Sequence, residues 1–147
     1  MGRYLPAQLG EIRRALEVPS ARLAAERRTA ADLKKLRLLV QRFGATPEAS
    51  KRIEIDADLH LGIAAATRNP LFELLVGDLR QVLQDQALTL SKIEGRAQQA
   101  DAEHQRIIEA IEAGDGAAAA AAMEAHLDSV AALSEDGASA RKSRRAR

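Results

Sequence analysis

Residues 52–70 read RIEIDADLHLGIAAATRNP. Within them Ile53, Asp56, His60, Ile63 and Ala64 fall three or four apart, the spacing that lays side chains along one face of an α-helix. That face is apolar apart from one carboxylate and one imidazole, one helical turn apart where burial is expected. The stretch ends on Asn69-Pro70, an N-cap residue followed by proline at the first helical position, which starts the next helix.

The same grammar extends in both directions. Upstream, Thr46-Pro47 is a matching start signal, so the third helix is expected from there to about residue 68. A first helix is expected over about 7–28, with Leu9, Ile12, Leu16, Leu23 and Ala24 on one stripe and Pro19 bending or dividing it. Thr29 caps a second, in which Leu33, Leu36, Val40 and Phe43 recur before Gly44. Downstream, the fourth helix carries Leu71, Leu75, Leu79 and Leu83 four apart. A polar region at 91–100 leads into a fifth with Ile107, Ile108 and Ile111. Gly114-Asp115-Gly116 is a helix–helix turn, and the sixth helix runs from a polyalanine stretch through Met123, Leu127, Val130 and Leu133. The expected fold is all-α: an antiparallel bundle of about six helices over 1–134, with 135–147 as a basic, disordered tail.

Composition agrees. The apolar bulk is alanine and leucine, with Tyr4, Phe43 and Phe72 as the whole aromatic content. The chain lacks cysteine, which excludes disulfides and thiolate metal sites. No apolar run reaches transmembrane length and no signal peptide opens the chain, so a cytoplasmic protein without a membrane partner is expected. The net charge of +1 conceals five basic groups within 141–147, which leaves the rest of the chain acidic. An acidic body is a poor surface for duplex DNA, because affinity for phosphates scales with the cations presented.

All three histidines sit where leucines would be expected. His104 leads the stripe of Ile107, Ile108 and Ile111, and His126 lies within Met123, Leu127 and Val130. His104 is ten residues before Gly114 and His126 ten after Gly116, so the antiparallel pair brings both rings to one height. A third helix packed on that pair would add Asp56 and His60, giving three imidazoles and a carboxylate inside a bundle. A buried carboxylate is costly unless paired or metal-bound, and imidazole suits divalent transition metals. Zinc is the first candidate, with nickel, manganese or iron as alternatives. The plainer alternative makes each histidine a hydrogen-bonded core residue of a dimerisation module.

At these residues the chain resembles the C-terminal ligand-binding (FCD) domain of FadR-subfamily GntR transcription regulators, metal-binding branch. The resemblance rests on Glu11-Ile12-Arg13-Arg14-Ala15-Leu16-Glu17, Asp56-Ala57-Asp58-Leu59-His60, Ala65-Ala66-Thr67-Arg68-Asn69-Pro70 and Glu103-His104 through Met123 to His126-Leu127. It implies an effector-sensing homodimer in which Asp56, His60, His104 and His126 hold a divalent ion. The effector it implies is a small organic acid whose carboxylate reaches the ion; a dicarboxylate or hydroxy acid is expected. Leu59 stands where the family usually has Phe, and Thr67-Arg68 replace a smaller pair, so a changed pocket wall is expected. No winged helix-turn-helix precedes the bundle, and DNA contact would come only through such a domain absent from this chain.

Three further residues are candidates for the ligand. Arg13 shares the stripe of Leu9 and Leu16 and could fork onto a carboxylate, or instead form a buried salt bridge with Asp58 or Glu17. Arg80 flanks Val76 and Leu83, and Asn69 is a helix cap or a ligand contact. The rival function is a metal-dependent, hydrolase-like enzyme, for which a general base beside the metal ligands is missing: Glu54 and Asp58 are near in sequence but off the Asp56–His60 stripe. A regulator domain, not an enzyme, is the expectation.

Overall fold

The computed structural model describes residues 4–145, and side chains from 4 to 136. Six helices follow in order: α1 (Pro6–Arg27), α2 (Ala30–Ala45), α3 (Ala49–Ala66), α4 (Pro70–Leu90), α5 (Arg96–Ala113) and α6 (Gly116–Arg145), with no strand among the described residues. This is the all-α bundle expected. None of these helices is long and apolar enough to cross a membrane, among the described residues.

Local chemistry sets the helix ends. Thr29 accepts from Asp32 N while Asp32 reaches back to the Thr29 N–H, a reciprocal pair that starts α2. Asn69 Oδ1 accepts from Leu71 N at 3.2 Å and Pro70 takes the first position of α4. Gly114, at φ 73°, closes α5 in the left-handed region that favours glycine, and Asp115 Oδ1 accepts from Ala118 N to open α6. One start signal misfires. Thr46 ends α2 instead, its hydroxyl donating to Arg42 O at 2.6 Å, and α3 begins after Glu48.

Three further expectations change. Pro19 does not divide α1; the helix runs through it, and Ala15, whose carbonyl it leaves without a donor, lies exposed. The buried face of α1 is Arg13, Glu17, Ser20, Ala21, Ala24 and Ala25, while Ile12 of the expected stripe is 50% exposed. Last, α6 continues beyond Ser134 to Arg145, where a disordered tail was expected. The side chains of 137–145 and the whole of 146–147 lie outside the described residues.

The core is aliphatic, built on Leu36, Leu59, Ile63, Ile107, Ile111 and Met123. Helix α1 packs against α3, α4, α5 and α6, and its alanines are what let so many helices approach it. By contrast α4 packs on α3, α1 and α6, burying only Val76 and Leu90 deeply. Leu71, Leu74 and Leu75 of α4 face solvent, at 64%, 57% and 45% exposure. The four-residue leucine spacing drifts around a helix of 3.6 residues per turn, so one stripe cannot stay buried along its length.

Candidate metal centre

Helices α3, α5 and α6 bring Asp56, His60, His104 and His126 together. Each offers one atom, and these atoms all lie within 4.8 Å of one another. A cation with bonds of about 2.1 Å holds its donors roughly 3 to 4 Å apart, so a small inward movement would close the set. Asp56 Oδ1 is 3.0 Å from His104 Nε2 and 3.8 Å from His60 Nε2. The His60 and His126 rings stack with centroids 5.3 Å apart, and those of His104 and His126 are 4.9 Å apart, at the common height the hairpin register requires. Phe43 meets His104 edge-on at 4.8 Å.

Sequence reasoning missed the groups behind these rings. Glu17 Oε2 stands 2.8 Å from His60 Nδ1, and Glu103 Oε2 is hydrogen-bonded to His126 Nδ1 at 2.7 Å. With Nδ1 of each ring facing a carboxylate, Nε2 is left for the cluster. Each glutamate is anchored in turn: Arg13 donates to both oxygens of Glu17 at 3.1 Å, and Arg96 donates to Glu103 at 3.0 Å. The signal was present, since Glu17 lies one turn from Arg13 and Glu103 adjoins His104. Its partners, however, come from other helices.

The residues fit a cation on two grounds. Nε2 of His60, the ring nitrogen turned away from Glu17, and both ring nitrogens of His104 are buried with no hydrogen bond satisfied. Such orphaned buried groups are rare and call for an occupant. The donor set of three imidazoles and one carboxylate is also one that zinc and its neighbours accept.

Charge is organised to match. Burial pushes Glu17 up, but Arg13 and His60 outweigh it and hold the carboxyl at about 2. Burial also pushes Glu103 up, and His126, Ser129 and Arg96 bring it down to about 2. Asp56 would rise on burial too, yet His104, His60 and His126 hold it well below the usual carboxylate range. Burial lowers His126 to about 3, helped by His104 and His60 against the pull of Glu103. Burial would lower His60 as well, but Glu17 and Asp56 raise it overall.

A cavity of about 320 Å³ adjoins the cluster, with Asp56, His60 and His126 in its wall. Arg13 and Arg80 also line it, each already paired: Arg13 with Glu17, and Arg80 with Asp58 Oδ1 at 3.0 Å. The buried salt bridge at Arg13 is therefore formed, with Glu17 as its partner rather than Asp58. Asn69 is elsewhere; it caps α4 and does not line the cavity. The expected change of wall is corrected too. Leu59 is core, and Thr67 and Arg68 form the α3–α4 turn, Thr67 Oγ1 donating to Ala64 O at 2.6 Å and Arg68 pairing with Asp32. None of the three lines the cavity.

Six helices around a cavity that opens on a buried His/Asp cluster define a ligand-binding helical domain. The chain matches the FCD domain over residues 8–129 and belongs to that family of GntR-type regulator domains. It is 38% identical over 130 residues to the HTH-type transcriptional regulator LutR of Bacillus subtilis (strain 168), covering 84% of this chain and 59% of that protein's length. Streptococcus agalactiae GntR superposes with a TM-score of 0.73 at 27% identity, over 86% of this chain and 57% of that one. Escherichia coli McbR/YncC gives 0.75 at 18% identity, over 88% and 67%, a likeness of fold. The curated relative is a transcription regulator, not an enzyme, and the rival hydrolase reading finds no support in it.

Proposed function

We propose that this chain is the effector-sensing and dimerisation domain of a GntR/FadR-type transcription regulator. In this reading Asp56, His60, His104 and His126 hold one divalent cation, zinc first, and a small carboxylate ligand binds beside it. Binding modulates DNA contact by a winged helix-turn-helix outside this chain, in the cytoplasm. The observation that carries the reading is the cluster itself: four donor atoms within 4.8 Å, with imidazole nitrogens buried and unpartnered, at the wall of a cavity.

A divalent cation there supplies positions that an anionic oxygen can take. The protein's own groups do the rest. Glu17 and Glu103 turn Nε2 of His60 and His126 toward the cluster, and Ile53, Val76, Leu83 and Leu90 of the wall would lie against the body of the bound acid. Helix α4 offers a route outward. Val76, Arg80 and Leu83 face the cavity, while Leu71, Leu74 and Leu75 on the same helix face solvent, where a second copy would cover them. A ligand that binds one α4 position better than another shifts the population toward it, and the outer face moves with it.

Metal analysis of purified protein tests the reading. One divalent ion per chain is expected, falling to well below half in His104→Ala. Equal metal content in the two proteins, or none in either, would remove the site.

A further inference from the structure

Four arginines line the cavity, and three of them are paired with a carboxylate. Arg13 is forked onto Glu17 and Arg96 is bound to Glu103, both pairs nearly enclosed. Arg80 is paired with Asp58 nearer the surface. Arg52, half-buried, is the exception and makes no ion pair among the described residues. Its Nη1 donates to the carbonyls of Thr46 and Pro47 at 3.0 and 2.7 Å. Both hydrogens of that nitrogen are thereby used, and both acceptors are neutral. Nε and Nη2 have no partner among the described residues.

The tie to the α2–α3 turn does two things. It holds the guanidinium in place beforehand, so less side-chain freedom is lost when an acceptor arrives. It also selects the edge left open, Nε–H beside an N–H of Nη2, which matches the two oxygens of a carboxylate. Recruiting Arg13 or Arg96 for that role would strand a buried glutamate, whereas recruiting Arg52 strands nothing. Glu54 also lines the wall without an ion pair among the described residues, but it is exposed, and solvent screens its charge.

Arg52 and Asp56 stand one turn apart on α3, about 6 Å along its axis, and both line the cavity. The bonds to Thr46 and Pro47 draw the guanidinium toward the start of α3, away from Asp56. At about 30 Å³ per water-sized group, the 320 Å³ holds on the order of ten non-hydrogen atoms, the size of a chain of about five carbons with an acid at each end. The methylenes of such a chain gain by leaving water for Ile53, Val76, Leu83 and Leu90.

We propose that Arg52 is a second anion position of this cavity, taking the far carboxylate of a ligand whose near one sits at the Asp56–His60–His126 end. This rests on the metal-site reading above and adds a residue to it, because Arg13 and Arg80, the arginines expected to meet the ligand, are taken by Glu17 and Asp58.

Glutarate and its monoamide are the probes, alike in shape and differing by one charge. Each is titrated calorimetrically into the full chain loaded with zinc. Glutarate is expected to bind about tenfold tighter or more. That preference is expected to vanish in Arg52→Gln and to persist in Arg80→Gln. In Arg52→Lys, which keeps a cation for the turn but not the fork, it is expected to fall to about threefold. Equal binding of the two probes by the natural chain overturns the proposal. A full preference retained in Arg52→Gln or Arg52→Lys also overturns it, and loss of the preference in Arg80→Gln gives the role to Arg80 instead. Zinc bound at one per chain with neither probe binding overturns this inference alone, whereas failure to bind zinc overturns the underlying reading as well.

Discussion

Glu17 and Glu103 touch no ligand in the proposed site, yet each fixes which nitrogen an imidazole presents. Glu103→Gln keeps the shape and a hydrogen bond but loses the charge behind His126. Its zinc affinity, measured by competition with a chelator, is expected to fall about 10- to 100-fold with the fold intact; unchanged affinity would assign Glu103 a packing role. Glu17→Gln should show the same loss of affinity, and because Arg13 and Arg96 are each buried against one of these glutamates, either substitution should also destabilise the chain by about 3 kcal/mol. The pH dependence follows from His126, whose pKa is lowered from 6.5 to about 3. Below pH 6.5 the unfolded chain takes up a proton there that the folded one refuses until about pH 3, so stability falls as pH drops through that window. Glu17 and Glu103, lowered from 4.5 to about 2, add to the fall between those values. His60, raised, contributes in the opposite sense, its share being lost as pH rises through its folded value. Thermal melts of metal-free protein should therefore show a shallower acid slope in His126→Gln than in the natural chain. Equal slopes would mean that His126 does not titrate in this way.

The helices were mostly legible one at a time, because their signals are local. Asn69-Pro70 and the Gly114-Asp115-Gly116 turn act through bonds within a few residues, and they stand where the sequence puts them. Thr46 shows the limit: the same hydroxyl can open one helix or close another, and here it closes α2. Residues 53–61 also alternate apolar and polar, a pattern a half-buried strand would share, and only the buried set of Ile55, Leu59, His60 and Ile63 shows the helical period at work. Helix α1 was phased wrongly because its inward face is alanine and a salt bridge, while its larger aliphatic residues lie toward the edge. That face makes a prediction of its own. Ala24 is 0% exposed within the core, so Ala24→Leu should overpack it and cost about 1–3 kcal/mol by urea unfolding. A neutral result would mean that α1 has room to move outward.

For the whole molecule, the outer face of α4 is where assembly can be tested. Leu71, Leu74 and Leu75 stay exposed on the single chain, and the proposed homodimer would bury them. Sedimentation of the natural chain is expected to give a dimer, and Leu74→Glu with Leu75→Glu a folded monomer; a dimer that survives both charges would place the interface elsewhere. The sequence by itself determined the helical class, the Asn69-Pro70 and Gly114-Asp115-Gly116 turns and the placing of all three histidines and Asp56 on inward faces. It could do so because helical periodicity and capping act between neighbours along the chain. Only the tertiary structure decided that Glu17 would back His60, that Arg96 would anchor the Glu103 behind His126 and that a cavity would open beside the cluster. Those outcomes depend on how far each helix is rotated and slid against the next, and that is set by side-chain packing across the whole core.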